Sequence, residues 1–219
     1  MAITTYSELQ TSIAGWSHRT DLTSAIPDFI KLAESKINAI LQSRLQEVDT
    51  ELVATIGSRY IPLPSDFYER RFLWITEWEP RDEVVFKLPE QLILGSSIST
   101  GSPEHYTIDG ANIAFDYVAD RAYTFTFRYT KPIILSDAMP TNWLLDQHPD
   151  LYLYGSMVQL CLYTKNMKEL QIWKPLYEES LQEVFDKETR VKSRTTAEVD
   201  TGLLLSDGRG WNINDGSYN

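Results

Sequence analysis

The sequence predicts an α+β fold: a helical bundle built from N- and C-terminal helices, an inserted antiparallel β-rich region, and an extended C-terminal arm. Three observations carry that reading. Apolar residues recur at helical spacing up to about residue 49 and again from about residue 149. From Thr50 to Leu135 the period shortens to two, with turn signals at close intervals. After Thr195 neither period survives. The divisions that follow are 1–49 for the first helices, 50–135 for the insertion, 136–194 for the returning helices and 195–219 for a flexible arm.

Thr5 and Glu8 have the spacing of a capping box, in which each side chain bonds an amide left orphaned at a helix start. Leu9, Ile13 and Trp16 follow at helical spacing, and the polar run Ser17–Asp21 ends that helix. A second helix opens near Pro27, which suits a first turn because it lacks an amide that would go unbonded. Ile26, Phe29, Ile30, Ala33, Ile37, Ile40 and Leu41 form its buried stripe, with Asp28, Lys31, Glu34, Lys36 and Gln42 on a wet face.

In the middle, Glu51–Ile56 and Arg59–Leu63 flank Gly57-Ser58 and read as a hairpin. Phe67–Trp78 is dense in apolar residues and stops at the turn Glu79-Pro80-Arg81-Asp82. Glu83–Leu88 reads as a short strand, Pro89–Leu92 as one helical turn, and Gly95–Pro103 as a loop. Tyr106–Ile108 and Asn112–Phe115 pair across Asp109-Gly110, and Tyr123–Tyr129 alternates cleanly. Connections this short cannot carry parallel crossovers, so the pairing expected is antiparallel.

Past a turn around Trp143, Pro149 and Asp150 open a helix that is apolar nearly all round: Leu151, Leu153, Tyr154, Met157, Val158, Cys161 and Leu162. Such a helix belongs at the centre of its bundle. Thr164–Asn166 ends it. A last long helix carries Leu170, Trp173, Tyr177, Leu181, Val184 and Phe185 on one stripe, with Pro175 either kinking it or marking its start.

Composition narrows the function. Forty-two per cent hydrophobic residues is incompatible with wholesale disorder, and no apolar run approaches the roughly 20 residues of a spanning helix. Twenty basic against 31 acidic residues, net −11, argues against nonspecific nucleic-acid binding, which needs Lys and Arg to neutralise phosphates. A single cysteine excludes an internal disulfide and a thiolate metal cluster. The opening MAITTYSELQ lacks the basic and apolar regions of a secretion signal, so a cytoplasmic location is expected.

Chemistry-bearing patterns are sparse. His18, His105 and His148 stand apart, none with a His or Cys at ligand spacing, and read as surface or capping residues. Cys161 reads as a small hydrophobe within its helix. Gly208-x-Gly210 follows no strand and opens no helix, so it fails as a dinucleotide fingerprint. Asn212-x-Asn214-Asp215-Gly216 lacks the closing Glu of a calcium loop. The expectation is a non-enzymatic chain with no cofactor and no metal. Two features are candidate interfaces. Lys187, Arg190, Lys192 and Arg194 gather at the end of the last helix, where they complement its dipole or meet an acidic partner or DNA phosphate. Beyond them the tail reads either as a floppy terminus or as an arm that orders on binding, with Leu203, Leu204, Leu205 and Trp211 as its anchors, and the second reading is favoured.

Several separated segments, MAITTYSELQTSIAGWSHRTDL, IPDFIKLAESKIN, YIPLPSDFYE and SDAMPTNWLLDQHPDLYLYGSMVQL, together resemble bacteriophage head-to-tail adaptor (connector) proteins over residues 2–190. The resemblance implies a virion protein of the neck, assembled from host cytoplasm into a homo-oligomeric ring, expected to be a dodecamer, beneath the portal protein. Such a ring extends the DNA channel and offers a platform for tail, nozzle or fibre proteins. In related connectors a C-terminal extension clasps the portal, which gives residues 199–219 a role. Genomic DNA would pass without specific binding, since an acidic wall does not hold phosphate; no membrane is involved. The alternatives are a neck stopper or tail-completion protein. A third is a carbohydrate-binding tail-surface module using Trp74, Trp78, Tyr106, Tyr117, Tyr123 and Tyr129.

Overall fold

The computed structural model describes residues 3–41, 43–79, 83–95 and 99–195. Helix takes up 46% and strand 22%, so neither dominates and the fold is α+β, in line with the two periods in the sequence. The elements are α1 (Tyr6–Ser17), α2 (Ile26–Ile40), β1 (Glu47–Val53), β2 (Tyr60–Pro62), β3 (Glu69–Ile75), β4 (Val85–Phe86), α3 (Pro89–Gly95) and β5 (Thr100–Gly101). Then come β6 (His105–Asp109), β7 (Asn112–Phe115), β8 (Val118–Ala119), β9 (Thr124–Thr130), α4 (Trp143–Gln147), α5 (Pro149–Thr164) and α6 (Met167–Thr195). Among the described residues no helix is long and apolar enough to cross a membrane.

The capping box forms: Thr5 Oγ1 accepts from the Glu8 amide at 3.3 Å, and Glu8 Oε2 accepts from the Thr5 amide at 3.1 Å. His18, in the left-handed region at φ 49°, closes α1. α5 is the central helix. Its residues 151–153 and 155–161 are buried, and it packs against α1, α2, α4 and α6. Gly155 makes that packing possible, because a Cβ there would lie 3.0 Å from the Tyr177 ring and 3.2 Å from Ala33 Cβ. α6 runs unbroken through Pro175, which therefore does not start it.

Two residues trade faces with the sequence expectation on α2. Glu34, assigned to the wet side, is buried at 5% exposure, whereas Ile40 is 50% exposed. Ile30 and Glu34 are one helical turn apart, so the carboxylate shares the apolar face. Ile40 ends the helix, where the chain turns away from the core. Phe185 likewise leaves the buried stripe of α6.

The β-rich part has its own core. A three-stranded sheet runs β1-β9-β3, a four-stranded sheet runs β2-β7-β6-β4, and β5 pairs with β8. Phe115 of β7 stacks on Phe125 of β9 with ring centroids 4.8 Å apart, which packs one sheet on the other. The alternation of Tyr123, Phe125, Phe127 and Tyr129 is realised, all four being buried. The β6–β7 hairpin turns at Gly110, whose φ of 58° suits glycine.

The expected hairpin of Glu51–Ile56 with Arg59–Leu63 does not form. β1 pairs along seven residues with β9, from Glu47↔Thr130 to Val53↔Thr124, and β2 pairs with β7 in the other sheet. The turn at Gly57 (φ 80°) hands the chain between sheets. A seven-residue ladder outcompetes the three residues that β2 can offer. Every longer pairing is antiparallel, but β4–β6 and β5–β8 are two-residue parallel contacts. α3 lies between β4 and β6, and the β6–β7 hairpin lies between β5 and β8. These intervening elements supply the crossovers that loop length alone had ruled out. The strand expected over Glu83–Leu88 contracts to Val85–Phe86, with Glu83 bridging Trp74. Within Gly95–Pro103, Gly95 closes α3 and Thr100–Gly101 is β5.

Candidate functional site

The chain leaves β9 and returns to the bundle at α4 through residues 131–142, a segment tied to α2 by side chains. Asn38 Nδ2 donates to the Ile133 carbonyl at 2.8 Å, and Asn38 Oδ1 accepts from the Ile133 amide at 2.7 Å, as a backbone partner would. One turn earlier, Glu34 Oε1 accepts from the Leu135 amide at 2.6 Å and from the Tyr152 hydroxyl at 3.3 Å. The Tyr152 hydroxyl in turn accepts from Asn142 Nδ2 at 2.8 Å, while Asn142 Oδ1 caps α4 by accepting from the Leu145 amide. Burial pushes the Glu34 carboxyl up to about 7, against the pull of the Leu135 amide and the Tyr152 hydroxyl. Burial also raises the Tyr152 phenol, reinforced by the neighbouring Glu34 charge.

Beside this connector lies a largely apolar groove of about 460 Å³, with Leu45, Ile134, Met139 and Trp143 among its walls. The far end of α6 is fastened close by. The Ser43 hydroxyl donates to Glu188 Oε2 at 2.8 Å. Lys187 Nζ donates to Gln147 Oε1 at 3.2 Å and stands 3.4 Å from His148 Nε2. Burial, and then the Lys187 charge, hold the His148 imidazole below its ordinary range.

The structure therefore sets Lys187 at the α4–α5 corner and leaves Arg190 on the exposed side of α6. Lys192 and Arg194 follow on the last turns of the same helix. The proposed anchors Leu203, Leu204, Leu205 and Trp211 lie outside the described residues. Reading the sequence alone missed Glu34, Asn38, Asn142 and Tyr152. Their partners lie up to 118 residues away, and the signal that could have found Glu34 was its place in the apolar stripe.

Other candidates resolve into packing. Glu104, His105 and Asp116 bring potential ligand atoms within 4.8 Å of one another. Asp116, however, already accepts from the Glu104 and Tyr117 amides and bonds His105 Nδ1 at 2.8 Å, and Lys87 lines the same hollow. The group thus serves as a clamp on the β6–β7 hairpin. Cys161 is buried, and its thiol is pushed up to about 11 by burial and by Glu169. Of the aromatic residues weighed for carbohydrate stacking, Tyr106, Tyr123 and Tyr129 are core residues with no ring face to offer.

The surface also exposes large apolar side chains: Leu162, Tyr163, Met167 and Ile172 at the α5–α6 elbow, and Val53, Phe72 and Val85 on the β-rich part, each at least 45% exposed. A fold whose designed chemistry is internal bonding, with apolar residues left outward, suits a protein that works through contacts. The family model described as SU10 adaptor protein matches residues 4–200, which defines a bacteriophage structural protein of the adaptor type. The chain belongs to the SU10 adaptor protein family. No curated protein matches it.

Proposed function

We propose that this adaptor forms the ring directly beneath the portal at the head-to-tail junction, extends the DNA channel, and presents a platform to tail, nozzle or fibre proteins. The observation that carries the reading is the family match across residues 4–200. The exposed apolar residues of the α5–α6 elbow support it, since a ring needs lateral contact surfaces. The subunit count is twelve in this reading, and the location is the virion neck after assembly from host cytoplasm.

The division of labour follows the four segments. Residues 1–49 and 136–194 form the bundle, residues 50–135 are an insertion turned toward the tail components, and residues 195–219 are an arm toward the portal. Arg190, Lys192 and Arg194, with Lys187 fixed at the corner behind them, would steer that end toward an acidic surface. Leu203, Leu204, Leu205 and Trp211 would anchor it. Lateral contacts are individually weak; portal binding collects the copies and raises their effective concentration until the ring closes. The DNA passes a wall of net negative charge and is not held.

Electron microscopy of the protein mixed with its cognate portal tests this reading, with the protein alone as control. A second ring under the portal is the expected image, absent when residues 196–219 are removed. A folded monomer that ignores the portal overturns the reading.

A further inference from the structure

We propose that, before assembly, the apolar segment Leu203–Leu205 docks in the groove beside the 131–142 connector of its own chain. The groove is open and greasy at a place where nothing else in the described fold covers it. Leu45, Ile134 and Met139, all on its walls, are 53%, 42% and 51% exposed. Three aliphatic side chains converging on one concave patch are costly to leave in water.

Chain geometry selects the occupant. The Ser43–Glu188 bond sets α6 two residues from Leu45, at the lip of the groove. From Glu188 to Thr195 the helix advances about 10 Å, at the usual 1.5 Å per residue. The eight residues from there to Leu203 span at most about 26–29 Å when extended. The triplet is therefore within reach of the groove, and a short tether gives it an effective concentration in the millimolar range. No other run of three consecutive leucines exists in the chain. The groove wall holds one cation, Lys131, and one carboxylate, Asp66, so apolar contact and tether length, and not charge, select the triplet. Docking in this way shields the leucines from water and from unrelated partners. The proposal concerns the isolated chain and does not depend on what the segment meets in the virion.

Cysteine pairing tests it on the full chain without portal. Cys161 is buried, so it does not compete for an oxidant under native conditions. The double variant Met139→Cys with Leu204→Cys is oxidised at low protein concentration, with Ile134→Cys plus Leu204→Cys as a second sensor. Leu32→Cys plus Leu204→Cys, on an exposed position of α2, is the control. Both Met139 and Ile134 are exposed enough to be replaced without disturbing the core. The expected result is an intramolecular disulfide in the two groove pairs, formed at least about tenfold faster than in the control, given the effective concentration of a docked segment. Equal rates in all three overturn the proposal. Crosslinked dimers in place of monomers also overturn it, by assigning the groove to a neighbouring copy.

Discussion

Glu34 couples protonation to the joint between the bundle and the β-rich part. Its carboxyl titrates near 7 in the fold against an ordinary value of 4.5, so the folded chain holds that proton more tightly than the unfolded chain does. The stability it contributes is complete below about pH 4.5, is lost as pH rises through about 7, and changes no further above that. Glu34→Gln keeps a carbonyl for the Leu135 amide and carries no charge. Thermal melts of both proteins across that window should show wild type losing stability relative to the variant; parallel profiles would acquit Glu34. Cys161 yields a second prediction. A thiol raised to about 11 and buried has almost no thiolate at neutral pH, so an aromatic disulfide reagent should label it only on unfolding. Prompt labelling of the native protein would contradict the packing described around it. Both residues show what periodicity can and cannot say. Cys161 was legible because its whole neighbourhood is apolar. Glu34 was misjudged because its polarity outweighed its register, although Ile30 and Ile37 bracket it on the buried face.

At the scale of elements, α5 depends on one absent side chain. Gly155 sits where Ala33 of α2 and Tyr177 of α6 close in, and both neighbours belong to packed helices with little room to yield. Gly155→Leu should cost about 1–3 kcal/mol or more through overpacking, read as a fall in the thermal midpoint. An unchanged midpoint would mean that the three helices are less tightly apposed than the structure has them. The connector makes a parallel case. Asn38→Ala leaves the Ile133 amide and carbonyl without partners in a buried setting, at about 1–3 kcal/mol for each unsatisfied group. Calorimetry should record a lowered midpoint, with the β-rich part and the bundle losing their common transition. A single unshifted peak would show that water or a neighbour replaces Asn38. Neither residue was identifiable beforehand. A glycine within a helix pattern and an asparagine on its edge have meaning only once the elements opposite are known.

For the whole molecule, two hydrophobic cores meet across a polar joint, and the net charge of −11 surrounds both. That charge predicts no retention of duplex DNA in a mobility-shift assay at moderate salt, as the proposed channel role requires; retention would point to a basic stripe at the α6 end strong enough to override the total. The helices, their order and most of their buried stripes follow from local causes. A capping box, a proline in a first turn and a 3.6-residue period each act within a few neighbours in the chain, and so they carry into the fold, with Glu34, Ile40 and Phe185 as the departures. The strand alternation at Tyr123–Tyr129 is local in the same sense. Which strand pairs with which is not. β1 leaves the neighbour proposed for it after Gly57 and joins β9, more than seventy residues on, because a long ladder and a shared core offset the entropy of closing the larger loop. The same holds for the joint, where Glu34 and Asn38 find backbone partners about a hundred residues away. Sequence alone determined the class of fold, the helices and longer strands, and the family resemblance. Tertiary structure decided the pairing, the joint and the groove, because these depend on contacts between residues that no local pattern relates.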